Sequence, residues 1–387
     1  MNQFDVAIVG AGPAGSSTAI TLAQRGHQVA LLDRALFPRD KLCGDFLNPI
    51  NRPVLDDLQV GHDLLALPHT KVSTFRISAA DGTEAISALP VEGERQFGLG
   101  LRRFHLDYAL LKQAKRAGGS GDEGVKRTSL VRESSGWRLE MDCGGNRVSV
   151  GAKLLVGADG RNSWVARQLG VASAPPKRTA AVGFEVQLRD VPGVRGSVEI
   201  HQFAGGYAGL VRVDESTVNL GFSVRRSRLG KAISFESLRE NCLSLNPALD
   251  ELLRNSEPIG ELRSAWPVYF PARRCYGDGL VLVGDAARVT EPVTGEGIFL
   301  ALRSGQLAGV TIAAALAEDR LDAHRLAAYG RACRAEFAAR IRLNSVIRRL
   351  MYRPRLLSLA LRFVGRRQRL LDSLVNAVCQ PRSAVAG

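Results

Sequence analysis

The first thirty-three residues constrain this chain more than any other stretch. Asp5–Val9 (DVAIV) reads as a short buried strand, and Gly10-Ala11-Gly12-Pro13-Ala14-Gly15 follows at once. Ser16–Arg25 has helical character up to Gly26, and Gln28–Leu32 (QVALL) is a second strand closed by Asp33. A GxGxxG segment alone means little. Between a strand and a helix, with an acid closing the next strand, it specifies a dinucleotide-binding βαβ unit. Gly10 permits the tight turn, Gly12 lets the backbone approach a pyrophosphate, and Gly15 lets helix and strand pack closely. The pyrophosphate would rest on the helix N-terminus, where free N–H groups and the dipole favour an anion. Asp33 is placed to accept hydrogen bonds from an adenosine ribose, and Arg34 beside it joins the candidate contacts.

Leu280–Ala301 supplies a matching half. Leu280–Val283 reads as a buried strand, Gly284-Asp285 sets a carboxylate past its end, and Pro292, Gly295 and Gly297 precede a helix over Phe299–Leu316. A strand, a carboxylate, a glycine-rich turn and a helix start suit a polyhydroxylated, electron-rich cofactor, which together with the first motif points to FAD. Asp285 is the candidate for the ribityl hydroxyls. The helix start, with Glu296 and Ile298, would aim N–H groups at the flavin pyrimidine edge.

Between these halves lie further candidates. Phe37–Asp45 reads FPRDKLCGD: Arg39 and Lys41 suit phosphate or flavin, while Cys43, followed by Gly44, is a close ring neighbour, a proton donor or simply a buried loop thiol. Arg103 stands just ahead of a helix that runs through Lys115 with Leu106, Leu110 and Ala114 on one face, and is a flavin contact or a surface arginine. Lys153–Val156 is another buried strand; Asp159 after it either caps a helix over Trp164–Leu169 or contacts the cofactor.

The remaining pattern predicts an α/β fold: a Rossmann-like FAD-binding domain with an inserted antiparallel β-sheet substrate domain and a C-terminal helical segment. Residues 1–75, 98–174 and 273–320 are assigned to the FAD-binding domain, 76–97 and 175–272 to the substrate lobe, and 321–387 to a basic helical region. Ser129–Val150 reads as a small meander and Gly118–Gly124 as a flexible linker. Ala181–Leu188, Ser197–Phe203, Ala208–Val213 and Val218–Val224 alternate as sheet strands, Ser234–Arg254 holds one or two helices, and Ser264–Pro271 reads as a last strand. Its Trp266, Tyr269 and Phe270 are expected near the cofactor or in the core.

Charge is unevenly spread. The chain of 387 residues carries a net +14, and from Arg331 onward there are thirteen arginines and no lysine against Glu336 and Asp372. Such a tail suits nucleic acid, an anionic membrane or a diphosphate substrate, with plain compositional bias as the alternative. No interleaved aromatics, zinc signature or helix-turn-helix pattern accompany it, so nucleic acid is discounted. The tail either caps the substrate lobe or makes peripheral contact with a membrane surface. There is no uninterrupted apolar run of about eighteen residues, so no membrane span is expected, and no secretory signal is evident. The six cysteines lack CxxC spacing and the six histidines lack ligand spacing, which predicts reduced thiols, no metal site and a cytoplasmic location, at most peripheral to the inner membrane face.

Three motifs in this order, Gly10–Gly15, Asp159-Gly160 and Gly284-Asp285 with Pro292, resemble the flavoprotein superfamily of the para-hydroxybenzoate hydroxylase fold over roughly residues 1–320. Pro38–Asp45 resembles the PRDKxCGD segment of its geranylgeranyl reductase branch, and Pro292–Gly297 with Ala301–Gly305 resembles that branch's PxTGEGI…ALxSG segment. Trp266–Pro271 matches the branch's YxWxFP strand only loosely, the WxWxIP segment of the related halogenases is absent, and Arg288 stands where hydroxylases usually place histidine. The resemblance implies Cys43 beside the flavin ring as the catalytic candidate, and hydride transfer from reduced flavin to an alkene of a small hydrophobic substrate. The alternatives are a monooxygenase acting on an aromatic or polyketide-like product, and a flavin-binding protein without turnover. No second glycine-rich nucleotide motif is evident, so electrons are expected from transiently docked NAD(P)H, a ferredoxin or a partner reductase.

Overall fold

The three glycine motifs of the sequence follow the carboxyl ends of neighbouring parallel strands. The computed structural model of the protein describes residues 2–90, 97–171, 181–230 and 233–380. The first βαβ unit is β1 (Asn2–Val9), α1 (Pro13–Ala23) and β2 (Val29–Leu32). Next come β3 (Phe46–Leu47), α2 (Asn51–Asp57), α3 (Gly61–Leu65), β4 (Thr70–Val72), β5 (Thr74–Ser78), β6 (Glu84–Ala88), β7 (Gly98–Gly100), α4 (Arg103–Arg116) and β8 (Ser120–Asp122). β9 (Lys126–Glu133), β10 (Gly136–Cys143), β11 (Asn146–Gly157) and α5 (Trp164–Gln168) return the chain to the first sheet. The inserted lobe holds β12 (Ala181–Arg189), β13 (Ser197–Phe203), β14 (Gly206–Arg212), β15 (Val218–Arg225), α6 (Phe235–Asn241), α7 (Pro247–Leu253) and β16 (Glu257–Ala265). The chain closes with β17 (Tyr276–Gly277), β18 (Leu280–Leu282), α8 (Gly297–Ala317), α9 (Ala323–Met351), α10 (Pro354–Gly365) and α11 (Gln368–Cys379).

The first sheet runs β17-β18-β11-β1-β2-β8, parallel from β8 to β18, with β10 added antiparallel to β11 and β9 antiparallel to β10. Its central strands are buried over continuous apolar runs such as Val6–Val9 and Leu154–Val156. The chain leaves β1 to one side for β2 and β11 lies on the other, so a crevice opens at the carboxyl end of β1.

Several expectations are corrected here. β11 is one strand of twelve residues, pairing antiparallel with β10 and parallel with β1, where the sequence suggested two. Its half-exposed first residues and buried last ones disguise the continuity. The supposed linker at Gly118–Gly124 contains β8, which extends the sheet edge beside β2. α1 begins at Pro13, inside the glycine motif.

The second sheet runs β16-β12-β15-β14-β13-β5-β6, antiparallel except for β13 against β5. The expected boundary between residues 75 and 76 therefore falls inside β5. The last strand, β16, ends at Ala265, ahead of the expected Ser264–Pro271, because Pro267 has no N–H to donate; Phe270 makes a single bridge to Val289.

The tail is two structures in one. Leu326, Tyr329 and Phe337 of α9 join the core of the FAD-binding domain, and the Tyr329 hydroxyl donates to the Leu282 carbonyl (3.0 Å). α10 and α11 pack on the second sheet through Leu357, Leu361, Leu371 and Val375, capping the substrate lobe. By length and composition α8 could cross a membrane, contrary to expectation, yet its buried residues pack it between α1 and α9 as a core helix.

Arg340 of α9 ties these parts together. Its guanidinium donates to Glu296 (2.9 Å), both side chains being buried, and to the carbonyls of Ala377 and Val378 at the end of α11. Replacing Arg340 by Met is expected to strand a buried carboxylate and cost roughly 3–5 kcal/mol in urea unfolding. The Glu296→Gln/Arg340→Met pair should recover much of that loss. A single variant as stable as the parent would show that the pair bears no such weight.

Candidate active site

The glycines of the first motif divide into two kinds. A Cβ on Gly10, whose φ is +109°, would lie 2.4 Å from the Ala158 carbonyl oxygen, and one on Gly15 would lie 1.8 Å from that of Gly10. These two are required by the chain's own packing. A Cβ on Gly12 would meet only Arg39, at 3.8 Å, so its face is left open toward the cavity. Gly12 is also the N-cap of α1 and brings no capping side chain, leaving first-turn N–H groups for a ligand. Asp33 accepts from the amides of Ala11 (2.7 Å) and Ala35 (2.9 Å), which fixes its carboxylate at the end of β2; Arg34 is exposed beside it.

Asp285 sits in the short turn after β18, half-buried and facing the same cavity, with no hydrogen bond or ion pair to the described residues. A carboxylate so placed awaits hydroxyl donors. Gly295, with φ +63°, reverses the chain into α8, and Pro292, Gly295, Gly297 and Ile298 line the cavity. The Glu296 side chain turns away to Arg340, which leaves its backbone for the cofactor contact expected at this helix start. Asp159 uses one oxygen to cap α5, accepting from Trp164 (2.7 Å) and Val165 (3.2 Å), while Ala158 and Gly160 beside it reach the cavity.

The Lys41–Asp45 loop forms the floor. The Cys43 amide donates to Glu185 (2.9 Å), and the Cys43 carbonyl accepts from Asn219 (2.9 Å). Gly221 of β15 packs beside this loop, where a Cβ would make ordinary contact with the Gly44 Cα at 3.5 Å. Arg103 proves to be buried, as the first residue of α4. It pairs with Asp107 through two bonds (2.7 and 2.8 Å), sets its charge beside the Cys43 thiol, and its amide donates to Asp45 (3.0 Å). Arg39 reaches the same Asp107 (3.1 Å).

These groups perturb one another. Burial pushes the Cys43 thiol up, against the pull of the Arg103 charge, so it keeps its proton at neutral pH. Burial and then Arg103 draw Lys41 below its usual range, with Asp285 opposing. Burial raises Glu185 to about 7, and burial with Glu185 as neighbour holds Asp45 well above the carboxylate range. Sequence reasoning missed Glu185 and Asn219; the signal for the first was a lone carboxylate in the apolar strand Ala181–Leu188.

The cavity holds about 400 Å³. One end is set by Gly12, Lys41, Cys43, Asp285 and Gly297, the other by Ile77, Val198, Leu361 and Val375, between the second sheet and the C-terminal helices. The aromatics of residues 266–270 are elsewhere. Trp266 is exposed, Tyr269 lies under Arg348 (4.3 Å to the ring centroid) and Phe270 is in the core, leaving Val268 as the lining residue of that segment. An open glycine face at a helix N-terminus, an acid at the end of β2, a carboxylate without a hydrogen bond among the described residues and a second helix N-terminus together fit FAD.

Comparison with known proteins agrees with this geometry. A family model described as FAD binding domain matches residues 3–343. Digeranylgeranylglycerophospholipid reductase 1 of Methanothermobacter thermautotrophicus is 29% identical over 350 residues, covering 88% of this chain and 85% of the relative. A geranylgeranyl bacteriochlorophyll reductase-like structure from Thermoplasma acidophilum superposes with a TM-score of 0.83 at 20% identity, covering 98% and 96% of the two chains. A flavin-dependent brominase superposes with a TM-score of 0.83 at 19% identity, covering 97% and 93%, so the fold alone serves more than one chemistry.

Two outcomes follow for this site. Asp285→Ala should purify with little bound flavin, since a hydrogen bond to a charged group contributes about 1.5–3 kcal/mol; full flavin content would contradict the placement. Glu185 binds its proton more tightly folded than unfolded, so its carboxylate lowers stability progressively as pH rises from its ordinary 4.5 to about 7. Melting curves should therefore shift in favour of Glu185→Gln between pH 5 and pH 8, and a pH-independent gap would refute the shift.

Proposed function

We propose, since this chain belongs to the FAD-binding domain family and is an FAD-dependent oxidoreductase, that it reduces carbon–carbon double bonds of an isoprenoid-like or other long hydrophobic substrate. The observation that carries this reading is the shape and lining of the cavity. It runs from the Cys43 loop into a space walled by aliphatic side chains of the second sheet, α10 and α11. A hydrocarbon chain gains roughly 25 cal/mol per Å² buried there, and the far end presents Ile, Val and Leu side chains. The reductase relatives support the same reading.

When bound and reduced, FAD supplies the hydride. The chain's own residues do the rest. The α1 N-terminus receives the pyrophosphate and Asp33 the ribose; Asp285 holds ribityl hydroxyls and orients the ring. First-turn amides of α8 direct positive charge at the pyrimidine edge. Cys43, kept protonated by burial, donates its Sγ proton to the second alkene carbon, while Glu185 and Asn219 hold its backbone in place. The aliphatic walls exclude water. Electrons are supplied by NAD(P)H docking transiently. A second reading, oxygen-dependent hydroxylation, draws support from Phe184 and Phe222, stacked at 5.2 Å in the cavity wall, which offer a flat surface to a planar ring.

The test is anaerobic. Photoreduced holoprotein mixed with geranylgeranyl diphosphate should regain oxidised-flavin absorbance without O₂. Cys43→Ala should keep its FAD and slow this step by about 10²–10⁴-fold. Reoxidation that requires O₂ and an aromatic compound would favour the second reading, and unchanged turnover in Cys43→Ala would remove the thiol from the reaction.

A further inference from the structure

α10 and α11 each carry two apolar faces, and only one is used by the fold. The inner faces, including Leu357 and Leu361 on α10 and Leu371 and Val375 on α11, wall the cavity. The outer stripe on α10 is Leu356 (43% exposed), Leu359 (62%) and Phe363 (54%), at the i, i+3, i+7 spacing of one helical face. On α11 it is Leu370 (39%) and Leu374 (43%), one turn apart. Leu374 belongs to both sets, being exposed and also part of the cavity lining. Apolar surface therefore continues from the outside of α11 into the cavity.

The rim of this stripe is basic. Arg355, Arg366, Arg367 and Arg369 are exposed, Arg362 is exposed but paired with Asp81 (3.0 Å), and Arg367 lies over the Phe363 ring at 3.9 Å. The acid on these two helices, Asp372, is engaged by Ser87 (2.7 Å) and Gln368 (2.8 Å). Pairing this face with its copy would bring arginines against arginines, which argues against self-association. An anionic bilayer satisfies both features at once: leucines enter the acyl boundary while guanidinium groups sit at phosphate depth. We infer that the outer face of α10–α11 docks the protein on an anionic lipid surface, and that the cavity margin at Leu374 is the portal through which an apolar chain passes from the bilayer. The portal rests on the proposed substrate class; the docking does not.

The experiment is co-sedimentation of the holoprotein with vesicles of phosphatidylcholine, alone or mixed with phosphatidylglycerol. Binding is expected to the mixed vesicles, weakened by salt, and to be slight on the neutral ones. Leu359→Glu/Phe363→Glu should reduce it by about tenfold or more, with FAD content and anaerobic reoxidation by detergent-solubilised substrate unchanged. Arg366→Gln and Arg369→Gln should each weaken it about fivefold, from about 1 kcal/mol per basic residue. Equal binding to neutral vesicles, or variants that bind like the parent, would overturn the inference. So would a dimer that the glutamate variant dissociates, which would assign the face to a second copy. Vesicle binding without substrate-driven reoxidation would sink the alkene reading alone, whereas reoxidation without vesicle binding would sink the docking alone.

Discussion

The close contact of α1 with α8 is the constraint on which the rest of the structure depends. A Cβ on Gly305 would lie 2.4 Å from the Ala14 carbonyl oxygen, and one on Gly309 would lie 2.6 Å from the Thr21 Cβ. With glycine at both positions the helices touch, and the Ser17 hydroxyl donates to the Leu302 carbonyl (2.7 Å). Their N-termini then reach one cavity together. Gly284, whose Cβ would lie 2.8 Å from that of Ala14, sets Asp285 beside them. Two helix N-termini and the Asp285 carboxylate thus meet because two helices can approach without side chains between them.

A second contact joins this site to the inserted lobe. Glu185 and Asn219, on strands of the second sheet, hold the backbone of Cys43, which belongs to a loop of the first domain. Arg103 and Asp107 press on the same loop from α4. Burying carboxylates is costly unless hydrogen bonds and opposite charge offset it; Arg103 and Arg39 supply that offset at Asp107, while burial still holds Glu185 and Asp45 above their ordinary range. The reactive end of the cavity is therefore built by both lobes, while its apolar end is built by the inserted lobe and the C-terminal helices.

How far this could be read from the sequence follows from how local each feature is. Gly10 to Asp33 and Leu280 to Gly297 were legible because strand, turn and helix lie in order along the chain, with periodicity to confirm them. Asp159 was legible as a cap for the same reason. Arg103 left two readings open, since its burial is decided by Asp45 and Asp107 folding over it. β11 looked like two strands because its partners differ along its length. Gly118–Gly124 looked like a linker because an edge strand of small residues carries no apolar signal. Glu185, Asn219 and the α10–α11 wall depend on contacts between segments far apart in the chain, which no local pattern encodes. Trp266 drew attention as an aromatic, yet Pro267 ends the strand and leaves it at the surface.

The central claim is that this arrangement adds hydrogen across a double bond. Its most direct test is the mass of the product formed when reduced holoprotein meets a geranylgeranyl lipid in the absence of O₂ and in D₂O. A gain of two hydrogens per double bond is expected, both of them deuterium because the reduced-flavin N5–H and the Cys43 thiol exchange with solvent, with no oxygen incorporated. A product that appears only with O₂ and carries an added oxygen would contradict it.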